Sequence, residues 1–146
     1  MDRLNTFMEL SALLTGEYKI VNDPDYKALS VSTADEYLRG LTGEFTIRLQ
    51  ALLDAYEKVA AAGPRPPSDD TLLPAFRAEQ GFKDNEYVAK QIVNIWYFSQ
   101  FQANEKDPNA PFIDGGFYER GLVWEVIKAH PVGFSNQPHG YWTAKP

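Results

Sequence analysis

The chain contains no cysteine and only two histidines, His130 and His139. The missing thiols exclude disulfides, thiolate nucleophiles, iron–sulfur ligation, zinc sites built on cysteine and covalent haem attachment. They leave the redox compartment open. The two histidines flank a proline-rich turn with no carboxylates at metal spacing, short of the three or four convergent ligands a metal site needs. Positive charge is scarce too: 14 Lys and Arg stand against 20 Asp and Glu, for a net charge of −6. An acidic chain without a basic run or stripe repels a phosphate backbone, which argues against nucleic-acid binding. Long apolar runs are missing. Asn5, Thr6, Glu9 and Ser11 interrupt the opening segment, so it holds no signal-peptide core and no twin-arginine pair. Nothing approaches the roughly 18 apolar residues of a membrane span. As it stands, the sequence predicts a cytoplasmic protein, or a periplasmic one whose twin-arginine signal has been removed.

Motifs that carry chemistry are also missing. No dinucleotide fingerprint, phosphate loop, nucleophile elbow or H-E-x-x-H occurs. Asp23-Pro24-Asp25 and Asp69-Asp70 are acidic pairs, but a glycosidase needs carboxyls facing across a cleft, which sequence neighbours do not provide alone. Asp69 or Asp70 reads as a helix N-cap and Asp23-Pro24-Asp25 as a turn. Asn104-Glu105-Lys106-Asp107 resembles a fragment of a calcium loop without its glycine or bidentate glutamate. No set of residues proposes a reaction, so the chain reads as non-catalytic.

What is present is enough for one domain, residues 1–146, with 44% apolar and 14% aromatic residues. The aromatic share fits core filling first, and leaves room for some rings on a surface meant for a partner. Period-2 alternation is absent, and apolar positions recur at helical spacing. The expected fold is all-α, a single-domain bundle of about five or six helices with an extended, docked C-terminal tail.

A first helix is expected over 7–15, with Thr6 and Glu9 as a capping box and Gly16 at the C-terminal cap. Residues 17–31 read as irregular. A second helix should run from 32 or 33 to 41 and a third from 44 to 61, with Phe45, Leu49, Leu52, Leu53 and Tyr56 in one stripe. Leu14-Thr15-Gly16 recurs as Leu41-Thr42-Gly43, read as two similar helix ends because the flanks differ. The Gly63–Ser68 segment is a stiff connection, followed by a short helix over 70–78 with Pro74 in its first turn. Asp84 is expected to cap the central helix, 84–101, which carries Val88, Ile92, Ile95 and Trp96. Its run Ile95-Trp96-Tyr97-Phe98 reads as core before it reads as a binding platform. A loop over 103–116 leads to a last helix, 117–130. The tail, 132–146, carries large rings at Phe134, Tyr141 and Trp142.

Three segments in order resemble a known family. They are Phe7-Met8-Glu9-Leu10-Ser11-Ala12-Leu13-Leu14-Thr15-Gly16, Ile92-Val93-Asn94-Ile95-Trp96-Tyr97 and Gly140-Tyr141-Trp142-Thr143-Ala144-Lys145-Pro146, with Gly121-Leu122-Val123-Trp124 ahead of the last. The set resembles the small, or gamma, subunit of bacterial FAD-dependent sugar and polyol dehydrogenases, the D-sorbitol dehydrogenase small-subunit family. Residues 18–86 match loosely. The resemblance implies a non-catalytic subunit that binds, stabilises and chaperones a large glucose-methanol-choline type subunit. That partner would hold the FAD and the catalytic residues, and a haem-bearing subunit or another acceptor would take the electrons. Small subunits of this kind carry a twin-arginine signal and bring the large one across the membrane. Some also carry a tail cysteine that tethers the large subunit; this sequence has Ser135 there, which excludes such a tether.

Under this reading Trp142, Tyr141 and Phe134 are the expected partner contacts, with Phe112 and Phe117 beside the loop as further candidates, because buried Tyr and Trp anchors dominate interface energies. Trp96 and Trp124 are assigned to the core. Two other readings stay open: a homo-oligomeric structural or regulatory module, and a free-standing small-ligand binder.

Overall fold

In the computed structural model of the chain, residues 2–126 are described. They form an all-α fold with one minimal strand pair. The elements are α1 (Arg3–Thr15), α2 (Lys19–Asn22), α3 (Pro24–Ala60), α4 (Leu73–Ala78), α5 (Gln80–Lys83), α6 (Glu86–Phe98), β1 (Gln100–Phe101), β2 (Ile113–Asp114), a 3₁₀ turn (Tyr118–Arg120) and α7 (Val123–Val126). β1 and β2 pair antiparallel, Gln100 opposite Asp114 and Phe101 opposite Ile113.

α1 starts one turn earlier than its sequence suggests. Asp2, and not Thr6, is the N-cap, and its carboxylate accepts the Asn5 N–H at 2.8 Å. Thr6 and Glu9 are no capping box. Both are buried and bonded to groups far along the chain. Gly16 ends α1 at φ 74°, its N–H donating to the Ala12 carbonyl at 2.9 Å. A side chain there would carry the left-handed penalty that glycine avoids. Every residue from Thr6 to Leu13 is buried, so α1 is the helix enclosed on all sides. α6 keeps Glu86, Lys90 and Phe98 exposed.

The segment 17–31 is largely helical. Asp23 caps α3, accepting the Asp25 and Tyr26 N–H groups, and Pro24 sits at the helix start, where its missing N–H costs nothing. The helices expected over 32–41 and 44–61 are both present, joined across a kink into the continuous 37-residue run of α3, whose first stretch begins earlier, at Pro24. Its single non-helical residue is Phe45, at φ −128° and ψ 40°. The kink has a local cause: the Thr46 hydroxyl donates to the Thr42 carbonyl at 2.8 Å, and Gly43 beside it gives the backbone freedom to bend. Leu41-Thr42-Gly43 thus marks a bend, whereas Leu14-Thr15-Gly16 marks an end.

Asp69 and Asp70 do not cap α4, which begins after Leu72 with Pro74 in its first turn. The Asp69 carboxylate closes a local turn by accepting the Thr71 N–H at 3.0 Å. Asp84 closes α5, and Asn85 stands at the N-cap of α6, where its amide donates to the Gly81 carbonyl at 2.8 Å. The residues 104–107 form turns, with Asn104 and Asp107 each accepting an N–H two residues ahead. The expected helix 117–130 is broken: a 3₁₀ turn precedes α7, and Gly121 between them is extended. Gly121 has no room for a side chain, since an added Cβ would meet the Tyr97 carbonyl oxygen.

One apolar cluster holds these elements together. α1 lies between α3 and α6, with Phe7 stacked on Trp96 at 6.4 Å and Tyr37 edge-on to the same indole at 5.2 Å. Two of the segments that carry the family resemblance, 7–16 and 92–97, therefore pack on each other. The Tyr97 hydroxyl adds a bond to the Thr15 carbonyl at 3.3 Å.

Candidate functional site

Two constellations stand out from ordinary packing. The first is built around Ser99. α6 ends there in a left-handed residue, φ 53°, whose N–H donates to the Ile95 carbonyl at 2.8 Å. Non-glycine residues adopt this conformation only when the surroundings fix it. They do so here. The Ser99 hydroxyl accepts the Tyr37 hydroxyl at 3.1 Å and the Phe117 N–H at 2.8 Å, and its carbonyl accepts the Gly115 N–H at 2.6 Å. Burial pushes the Tyr37 hydroxyl up to about 12, against the lowering effect of the Ser99 bond, so it stays a donor.

This junction turns the chain so that aromatic rings face outward. Phe98 and Tyr118 are each 47% exposed and Phe112 53%. Tyr118 stands edge-on to Trp124 at 5.3 Å, and the Trp124 indole N–H donates to the Tyr118 carbonyl at 2.9 Å. Phe98, Tyr118, Val123 and Trp124 wall an apolar recess of about 150 Å³. Phe112 is open to solvent. Phe117 is half-buried, its ring edge-on to Tyr37 at 6.2 Å and beneath the Arg120 guanidinium at 4.5 Å, which anchors on the Thr33 hydroxyl. Phe134, Tyr141 and Trp142 lie outside the described residues, as do His130, His139 and Ser135. Trp96 is in the core. Trp124 is buried too, as the wall of the recess.

Sequence reasoning missed Phe98 and Tyr118. For Phe98 a signal existed. At about 100° per residue it lies roughly 100° from the centre of the Val88, Ile92, Ile95 and Trp96 stripe, just off the buried face. Tyr118 had none, because its exposure depends on the break at Gly121.

The second constellation is a buried ionic network. Glu9, on the apolar helix α1, accepts the Tyr56 hydroxyl and the Arg65 Nε, both at 3.0 Å. Arg65 also forks onto Glu57 at 2.9 and 2.6 Å, and Glu57 accepts the Thr6 hydroxyl at 2.6 Å. Burial and the neighbouring Glu9 carboxylate hold Tyr56 well above the ordinary tyrosine range. The network pins the loop after α3 onto α1. Its members are mutually bonded, which suits a structural clamp better than a reactive site.

The clamp has a pH signature. Hydrogen bonds from Arg65, opposed by burial and helped by Thr6, hold the Glu57 carboxyl at about 2. A value depressed below the unfolded one, 4.5, means that the stabilisation is complete above that pH and is lost as pH falls toward 2. The Glu57 side chain is 36% exposed, so solvent screening leaves about 1 kcal/mol. Thermal melts across this window should show a fall that Glu57→Gln blunts. An equally steep fall in that variant would refute the assignment.

Among the described residues no group of three or more His, Asp or Glu can gather on a metal ion, and no helix is long and apolar enough to cross a membrane. The chain matches no family model, no curated protein and no solved structure.

Proposed function

We propose that this chain is a non-catalytic small subunit that binds and stabilises the FAD-containing, glucose-methanol-choline type large subunit of a sugar or polyol dehydrogenase. The reading starts from the ordered resemblance of residues 7–16, 92–97 and 140–146. The observation that carries it further is the apolar recess between Phe98, Tyr118 and Trp124, whose rim residues Phe98 and Tyr118 are each about half exposed. Exposed rings around a recess are the usual form of an interface anchor point, since aromatic side chains supply much binding energy at low entropy cost. Flavin, substrate and electron acceptor belong to the partner in this scheme, and this chain contributes binding surface and folding assistance.

Co-expression tests it. The tagged chain, made beside a glucose-methanol-choline type flavoprotein of the same genome, should retain a yellow partner with flavin absorbance at 1:1 stoichiometry. Tyr118→Ala and Phe98→Ala should each weaken the complex about tenfold, roughly 1.4 kcal/mol, with little change in melting temperature. A chain that emerges alone and colourless beside soluble flavoprotein would sink the proposal. Self-association abolished by Tyr118→Ala, without a flavoprotein complex, would favour the homo-oligomer instead.

A further inference from the structure

We infer a second docking surface on the flank of α6 opposite the aromatic recess: a groove that takes a peptide segment of the partner, apolar in its middle, acidic at one end and basic at the other. The inference rests on the subunit reading above.

Two depressions of about 390 and about 470 Å³ adjoin each other and share Leu14 and Leu73. The first continues over Phe82 and Val93, and the second over Tyr18. All five side chains are only partly buried, so the groove has a continuous apolar floor. Among the described residues nothing covers its walls along their length. A small ligand is normally enclosed over most of its surface, whereas an open trough of this length suits a chain segment.

Charge sets the direction of the occupant. Arg77 and Lys90 line the α6 end, both exposed and without an ion pair among the described residues. Glu86, one turn before Lys90, also lines it and leaves a net charge of one positive. Asp69 and Asp70 line the other end, where Asp69 is engaged by the Thr71 backbone and side chain and, among the described residues, by no cation. A segment with a carboxylate toward Arg77 and Lys90 and a cation toward Asp69 and Asp70 pairs both ends; the reversed segment repels at both. A second copy of this chain is a poor occupant, because two chains of net charge −6 repel. At 100° per residue, the groove face of α6 lies roughly 130° around the helix from Phe98, so one partner reaching both surfaces would embrace α6 from two sides.

The test uses the co-purified complex with the flavoprotein and three variant chains: Leu73→Asp, the pair Arg77→Glu with Lys90→Glu, and the pair Asp69→Lys with Asp70→Lys. Each should raise Kd at least about tenfold at low salt, and the wild-type affinity should fall with added salt. Circular dichroism melts check folding, and the two charge pairs are exposed enough to leave it intact. If all three variants bind like wild type while Tyr118→Ala weakens binding, the groove inference is overturned and the subunit reading stands. If the wild-type chain forms no flavoprotein complex, both fail. If the variants alter only self-association, the groove meets a second copy and the inference is likewise overturned.

Discussion

Arg65→Ala is expected to destabilise the fold by about 3–5 kcal/mol, one of the two largest effects of any single substitution predicted for this protein. Glu9 is 4% exposed, on a helix whose neighbours are apolar. Arg65 is its cationic partner at 3.0 Å and reaches Glu57 with the same guanidinium. Removing it leaves a largely desolvated carboxylate whose one remaining hydrogen bond among the described residues comes from the Tyr56 hydroxyl. Breaking a buried pair costs more than the pair contributes, because the remaining charge has nowhere to go. A loss of this size lowers the melting temperature by roughly 10–15 °C in a chain of this length. Arg65→Lys should recover only part, since an ammonium cannot fork onto two carboxylates. Adding Glu9→Gln to Arg65→Ala should restore much of the loss. If the double variant melts as low as the single one, the cost is lost loop packing and not orphaned charge.

Trp96→Ala should cost a comparable 3–5 kcal/mol. The indole is 2% exposed, stacked on Phe7 and edge-on to Tyr37, where α1, α3 and α6 meet. Truncation opens a cavity bounded by three helices that cannot all collapse into it. Trp96→Phe separates packing from polarity. The buried indole N–H of Trp96 has no hydrogen-bond partner among the described residues, so phenylalanine removes a donor unsatisfied there while it keeps most of the ring. Its cost should stay near 1 kcal/mol. Chemical denaturation of both variants decides the matter. Near-equal losses would mean that ring size at this position counts for less than the junction implies.

The helices were legible where apolar spacing and terminators agreed. Gly16 ends α1, Pro74 opens α4, and the Val88–Trp96 stripe is the buried face of α6. Local signals failed where long-range bonds took over the same residues. Thr6 and Glu9 have the spacing of a capping box, but Glu57, Tyr56 and Arg65 lie around 50 residues away and claim both side chains. Asp2 and Asp23, equally good caps by residue type, are the ones the helices use. Gly43 resembled a stop because the sequence does not reveal whether a helix resumes after a bend. The aromatic surface was only partly visible. Phe112 could be proposed from its loop and Phe98 follows from its phase on α6, while Tyr118 faces outward because the chain breaks at Gly121, which no short motif announces.

The burial of α1 sets a schedule for synthesis. Its partners all come later in the chain: α3 ends at Ala60, and the Trp96 and Tyr97 that close over it lie near the end of α6. At about 5–20 residues per second a ribosome needs roughly 5–20 s to reach that point. For much of that interval a helix buried from Thr6 to Leu13 lacks the α6 residues that close over it. The nascent chain therefore exposes the apolar side chains of this segment before it can fold, and ribosome-profiled capture by holdase factors should persist past codon 97 and fall away only once Trp96 and Tyr97 have cleared the exit tunnel.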